Sequence, residues 1–300
     1  MEKDLDVVVV GNVGVDTNVY PLADEIDWSV EANFTRNLDC VGQAGGYASR
    51  GWARLGRRTA FVGYAGDDFC GRLVREELAR DGIDLGGLFV DPAGTSRSVN
   101  IMYRDGRRKN FYDGGSHMTL APDLDACRAV LARARLAHFH LAHWARRLLP
   151  VARELGLVVA CDLQDVVRLP DAYRKDFIDQ ADILFFSSVN HTDPRPLVDA
   201  LREGRPERVV VAGMGGRGCA LGTRAGYRTF PPERGEAPVI DTNGAGDALA
   251  VGFLDAWAFE GKDPVEAVRR GQIAARHTCS LRGTSAGLIT RAELNRLVDE

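Results

Sequence analysis

Asp241-Thr242-Asn243-Gly244-Ala245-Gly246-Asp247 decides how the rest of the chain is read. It lies between Ala237 to Ile240, which reads as an extended strand, and the apolar run Ala248 to Phe259, which reads as a helix. In a strand, glycine corner and helix start, the first N–H groups of the helix lack intrahelical partners and point outward. The helix dipole adds positive charge there, so the corner suits an anion. Gly244 and Gly246 permit torsions and a close backbone approach that a side chain would block. Asp247 then puts a carboxylate where a phosphate would bind. A carboxylate in a first helical turn is stabilised as the anion, so Asp247 is expected to be ionised at neutral pH. A weak base of that kind suits a substrate hydroxyl that loses its proton late in phosphoryl transfer. The amides of Gly244, Ala245, Gly246 and Asp247 would neutralise charge on the moving group. The structural alternative is that Asp247 is a helix N-cap after a glycine turn.

Composition narrows the classes of function. The 300 residues suit one large α/β domain or two smaller ones, and 45% hydrophobic content supports a substantial core. A net charge of −4 with 27% charged residues gives no argument for nucleic acid or an anionic membrane as partner. Six cysteines are scattered without CxxC pairs and read as reduced, mostly buried thiols, so a cytoplasmic location is expected. The acidic start, Met-Glu-Lys-Asp-Leu-Asp, runs straight into a strand and does not read as a secretory signal. No apolar stretch approaches membrane-spanning length.

Outward from the central stretch, strands and helices alternate. Val7 to Val10 reads as a strand buried on both faces, and residues 21 to 40 read as polar and irregular. Gly42-Gln43-Ala44-Gly45-Gly46 opens a helix that Gly56 ends. Val99 to Arg104 and Arg107 to Tyr112 flank Asp105-Gly106 as a hairpin, assigned to a small lid. Strands over 136–141, 157–161, 183–186 and 209–212 then alternate with helices, and helices over 264–281 and 290–298 close the chain. The pattern predicts a parallel sheet covered on both faces with right-handed crossovers.

The heptad is similar to the Asp-Thr-x-Gly-Ala-Gly-Asp signature of the ribokinase-like (PfkB) carbohydrate and nucleoside kinases, and the resemblance runs from about Val7 to the end. It implies a ribokinase-like three-layer α/β/α fold with a mostly parallel central sheet. Residues 1–300 would form a single domain with a β lid from segments near 12–40 and 97–113. It also implies ATP and Mg2+ as cofactors and a small-molecule alcohol as acceptor. Gly11 and Asp16 match the family's N-terminal glycine and its substrate-binding aspartate, a side chain suited to accept several hydroxyl hydrogen bonds. Gly42 to Gly56 resembles the family's Gly-Gly-x-Gly-x-Asn helix entry, with Gln43 in place of the second glycine and Tyr47 in place of the asparagine. Gly42, Gln43 and Tyr47 would then face substrate. The phenol implies an unusual sugar, a base-bearing acceptor, or packing against the lid.

Gly63 to Gly71, with Gly66-Asp67-Asp68, resembles a family turn and helix cap. Ser187-Ser188-Val189-Asn190 stands where the family has Asn-x-x-Glu, so a water-mediated share of the Mg2+ shell falls to Asn190, with Ser187 beside the nucleotide. Gly213, Gly215, Gly216 and Gly218 resemble the family's nucleotide turn. Gln272 occupies the position that flanks adenine, while Asp241 and Gly283 match a monovalent-cation (K+) site of some relatives. His143 lies past the carboxyl end of its strand, where ligands bind in open α/β sheets, and is a candidate substrate contact. His138 and His140 share a strand face and read as partly buried, hydrogen-bonded histidines rather than zinc ligands.

The expected activity is ATP-dependent phosphorylation of a sugar or sugar-like hydroxyl. A nucleoside kinase is the nearest alternative. A degenerate family member that binds ligand with little turnover is the alternative of another class, and a nicotinamide dehydrogenase is disfavoured because Gly11-Asn12-Val13-Gly14-Val15-Asp16 lacks the Gly-x-Gly-x-x-Gly fingerprint. The lid hairpin's exposed edges suit pairing into a homodimer.

Overall fold

The computed structural model describes residues 3–300 apart from 105, 236 and 284. Its architecture follows from strand β1 (Val7–Val10), whose four valines are all buried. β-Branched side chains suit the pleat, and successive ones point to opposite faces. Val7 and Val9 therefore enter one core cluster, while Val8 and Val10 enter the other.

The remaining elements are β2 (Gly14–Pro21), β3 (Thr35–Gly42), α1 (Gln43–Arg54), β4 (Thr59–Ala65), α2 (Phe69–Arg80), β5 (Asp84–Val90), β6 (Ser96–Met102), β7 (Arg108–Asp113), α3 (Leu124–Leu131) and β8 (Leu136–His140). They continue with α4 (Leu149–Glu154), β9 (Val158–Asp165), α5 (Lys175–Gln180), β10 (Ile183–Ser187), α6 (Arg195–Arg202), β11 (Val209–Gly213), β12 (Cys219–Thr223) and β13 (Gly226–Phe230). Helices α7 (Ala245–Leu254), α8 (Pro264–Thr278) and α9 (Arg291–Asp299) follow, with a π-turn, Asp255–Phe259, after α7.

Among the described residues the strands form two sheets. The nine-stranded sheet has the order β13-β12-β11-β10-β9-β8-β1-β4-β5, parallel except for β12 and β13. Side chains of α1, α2, α7, α8 and α9 fill one face, and those of α3 to α6 fill the other. This is the three-layer α/β/α arrangement with a mostly parallel sheet. The strand order reverses at β1, which pairs with β4 on one side and β8 on the other. Ligands of open α/β sheets bind beyond the carboxyl ends at such a point. The second sheet, β3-β2-β6-β7, stands apart from the layers.

Several expectations need correction. Thr35–Gly42, read as irregular, is strand β3, paired with β2 along its whole length. Its polar residues face solvent on one side of a small sheet, so no apolar alternation marks it. Edge strands β5 and β13 went unread for a related reason: they carry glycines and are only partly buried. Ala237 to Ile240 is not a strand among the described residues; Ile240 and Asp241 instead donate their N–H groups to the Cys279 carbonyl, at 2.7 and 3.2 Å. The helix expected to run to 281 ends at Thr278. The hairpin forms as β6 and β7, with Asp105 of its turn outside the described residues. Among the described residues no helix is long and apolar enough to cross a membrane.

Candidate active site

The register of the sheet builds the floor of the site. His140, the last residue of β8, pairs with Asp162 of β9. Helix α7 starts above them. Its N-cap is Gly244 in the left-handed region (φ 72°), so the turn requires a residue without Cβ strain there. Asp247 is the third residue of the helix and not its cap. Its side chain is 13% exposed, and its Oδ1 lies 3.7 Å from His140 Nδ1, too far for a hydrogen bond.

Electrostatics here departs from the expectation of an ionised Asp247. Burial pushes the Asp247 carboxyl well above its ordinary range, and the negative charge of Asp162 adds to the rise. Desolvation outweighs the helix dipole because the carboxylate points inward from the first turn and not out to water. Asp162 is itself pushed up to about 6 by burial, against a 2.7 Å hydrogen bond from the Gln164 N–H. His138 and His140 are fully buried, and burial drives both imidazoles down, His138 to about 3, so both are neutral. His138 accepts a 3.3 Å bond from Trp52 Nε1, whereas His140 has no hydrogen-bond partner on either ring nitrogen. The expectation of partly buried, hydrogen-bonded histidines therefore holds in its bonding for His138 alone, and in its burial for neither.

The second sheet supplies the opposite wall. Asp16 on β2 is 4% exposed. Its Oδ2 accepts bonds from Tyr47 Oη (2.8 Å) and the Gln43 N–H (3.2 Å), while Oδ1 has no partner. Burial raises its carboxyl, with those donors opposing. Gln43 adopts φ 59° and accepts a 3.0 Å bond from Ser96 Oγ. At Gly42 a Cβ would lie 2.2 Å from Asp16 Oδ2, so only glycine lets the carboxylate sit there. Tyr47, the departure at the start of α1, thus holds the aspartate that the sequence places on substrate.

Sequence reasoning missed a set of residues on this wall. Asn18, Asn100 and Asn110 lie side by side in register on β2, β6 and β7. Their amides form a ladder, Asn110 to Asn100 at 2.7 Å and Asn100 to Asn18 at 3.0 Å, and Asn18 also accepts from Asn243 of the heptad at 3.0 Å. Arg108 of β7 bonds the Asn243 carbonyl oxygen, and its charge favours the ionised forms of Asp16, Asp241 and Asp247. Matching asparagines at positions that pair across strands were the available signal, but it needs the register first.

Gly213 ends β11 opposite Ser187 of β10. Gly215 (φ 59°) and Gly218 (φ 92°) bracket a 3₁₀ turn that contains Gly216, which stands in open space. Asn190 donates its amide to both carboxylate oxygens of Asp165 at 2.8 Å. Asp165, overlooked in the sequence, pairs with Ser187 across β9 and β10 and is exposed. Gln272 is buried on α8, beside α7. Asp241 Oδ2 accepts from Tyr20 Oη at 2.5 Å and Oδ1 from the Asn243 N–H, while Gly283 N–H donates to the Tyr20 oxygen at 3.2 Å. Both oxygens of Asp241 are therefore engaged, and the Asp241–Gly283 pair offers no open carboxylate to K+. His143 sits apart from this cluster, its ring 6.0 Å from that of Tyr173.

Comparison with known proteins agrees with this arrangement. The profile described as pfkB family carbohydrate kinase matches residues 4–291. The chain is similar to acarbose 7(IV)-phosphotransferase of Actinoplanes sp. strain SE50/110, at 32% identity covering 99% of each chain. It is also similar to fructokinase-1 of Zea mays, at 26% identity over 83% of this chain and 85% of that one. Among solved structures, a microbiome-derived acarbose kinase superposes with a TM-score of 0.88 at 30% identity, covering 99% of each chain. Arabidopsis thaliana ribokinase complexed with ribose and ATP shares the fold, with a TM-score of 0.83 at 21% identity and full coverage of both chains. The chain belongs to the pfkB family of carbohydrate kinases, and it is an ATP-dependent phosphotransferase acting on a hydroxyl of a sugar or sugar-like molecule.

Proposed function

We propose that the acceptor is a hydroxyl of an acarbose-like oligosaccharide and that Asp247 is the base that takes its proton. One observation carries the assignment of roles: Asp16 Oδ1 and Asp247 Oδ1 are buried carboxylate oxygens with no donor, near enough that the charge of Asp16 acts on Asp247. A polyhydroxylated ligand supplies such donors. Asp16, set by Gly42, Gln43 and Tyr47, orients the acceptor, and Asp247 receives the proton as the oxygen attacks. A carboxyl raised toward the working pH is a stronger base than an ordinary carboxylate, so the correction to its ionisation strengthens this role. The N–H groups of Gly244, Ala245, Gly246 and Asp247 face the transferring phosphoryl, and Arg108 adds positive charge from the lid.

The turn from Gly213 to Gly218 cradles the ATP phosphates, with Ser187 and Gln272 along the nucleotide. For Mg2+, the oxygen-rich pair Asp165 and Asn190 fits a hard cation held through water, and the ion would neutralise phosphate charge there. A monovalent cation at Asp241 and Gly283 would require Tyr20 to release Asp241. Support for the oligosaccharide comes from two full-length relatives that both carry acarbose in their names. Trp28 and Phe34, 77% and 87% exposed between β2 and β3, offer aromatic faces for further sugar rings. His143 lies on the cleft side of β8 as a further acceptor contact.

An acceptor screen following ADP release with acarbose, maltose, fructose, ribose and adenosine tests the substrate. Turnover of adenosine with no sugar would overturn it, and ligand binding without ADP release would favour a binding protein. Asp247→Asn tests the base: kcat should fall by about 10² to 10⁴ with ATP binding retained. We also propose pairing of lid edges β3 and β7 between two copies, which sedimentation velocity showing only monomer would reject.

A further inference from the structure

The floor of the cleft carries more chemistry than phosphoryl transfer uses. One ligand atom from each of His140, Asp162 and Asp247 lies within 4.8 Å of the other two. The histidine is the telling member. His140 is 1% exposed, neither ring nitrogen has a partner, and Nδ1 faces Asp247 Oδ1, which also lacks one. Buried polar groups are almost always satisfied by protein, water or an ion. An apolar residue at the end of β8 would fill the same space without that cost.

We propose that His140, Asp162 and Asp247 bind one divalent transition-metal ion of the Zn2+ class, and that this ion inhibits the kinase by occupying the lone pair of Asp247. An imidazole nitrogen with two carboxylate oxygens matches zinc and its neighbours in the series, whereas magnesium takes oxygen ligands and keeps its waters. Metal–ligand bonds of about 2.0–2.2 Å require the three side chains to draw in by about 1 Å. Asp247 has the freedom to do so, because its side chain reaches the cleft. Asp162 is already oriented by the Gln164 N–H at one oxygen, which leaves the other for the ion. The open coordination positions face the cleft, where water or a substrate oxygen completes them.

Uptake of the ion does not depend on the kinase reading, whereas the inhibition rests on Asp247 being the base. Isothermal titration of the full chain with ZnCl2 in excess Mg2+, together with the visible absorption of Co2+, measures uptake without turnover. The expected result is one ion per chain, with affinity reduced more than about tenfold in His140→Phe and in Asp162→Asn. Thermal melts show that each variant is folded, and either variant alone suffices. No uptake at micromolar zinc, or equal uptake by the wild type and both folded variants, overturns the site. Uptake as expected with undiminished ADP release in the presence of Zn2+ overturns the inhibition and counts against Asp247 as base, while the binding site stands.

Discussion

Replacing Tyr47 by Phe removes one oxygen and keeps the ring that fills the start of α1. The lost contact is a 2.8 Å hydrogen bond to Asp16 Oδ2. A bond to a charged group contributes about 1.5–3 kcal/mol. The Gln43 N–H stays on the same oxygen at 3.2 Å, which places the net effect near the lower bound, about 1.5 kcal/mol or roughly tenfold. Because Asp16 binds acceptor in ground and transition states alike, the loss is expected in KM for the sugar, with kcat and KM for ATP little changed.

The pH dependence has a definite sign. Burial raises the Asp16 carboxyl, and the Tyr47 bond opposes that rise by favouring the anion. Without the bond the carboxyl rises further, so the acid limb of kcat/KM moves to higher pH and the deficit widens as pH falls. Steady-state kinetics of ADP release across pH 5 to 9 measures both effects. A profile superimposable on the wild type, or a fall in kcat with KM unchanged, would refute the assignment of Tyr47 and Asp16.

Gly42→Ala places a Cβ 2.2 Å from Asp16 Oδ2, so acceptor binding measured calorimetrically should weaken by more than in Tyr47→Phe while ATP binding persists. Gly244→Ala forces a side chain into the left-handed region at φ 72°, which costs about 1–2 kcal/mol of stability in urea unfolding and displaces the phosphate-facing amides, so activity should fall as well. Arg50→Met removes the partner of Glu77 (3.1 Å) and Asp81 (2.6 Å); the arginine side chain is 5% exposed and the acids more so, which sets the expected destabilisation at about 3 kcal/mol in the same assay. A loss below about 1 kcal/mol would show that α1 and α2 do not depend on that pair.

Local signals carried far in this chain where one residue's neighbours in sequence are also its neighbours in space. The valine run of β1, the glycine entry and exit of α1, and the Asp68 cap on α2, whose carboxylate accepts the Gly71 N–H at 2.7 Å, are all legible from a few adjacent residues. Strands β3, β5 and β13 were not, because their places at or near sheet edges impose no apolar alternation. Asp165 escaped notice for a different reason. Nothing in the sequence around it shows that Asn190, 25 positions later, comes to lie on its carboxylate.

The sequence by itself determined the alternation of strands and helices and the glycine corner that starts α7, since these depend on backbone torsions and side-chain periodicity along short stretches. It also placed an acid at 16 and another at 247. Tertiary structure decided the chemistry of those acids. Desolvation and like charge depend on what surrounds a carboxyl, and here the surroundings come from β8, β9 and the lid, brought together by strand register across more than a hundred residues. The dipole of one helix favours an ionised Asp247, and the burial imposed by the rest of the fold overrides it.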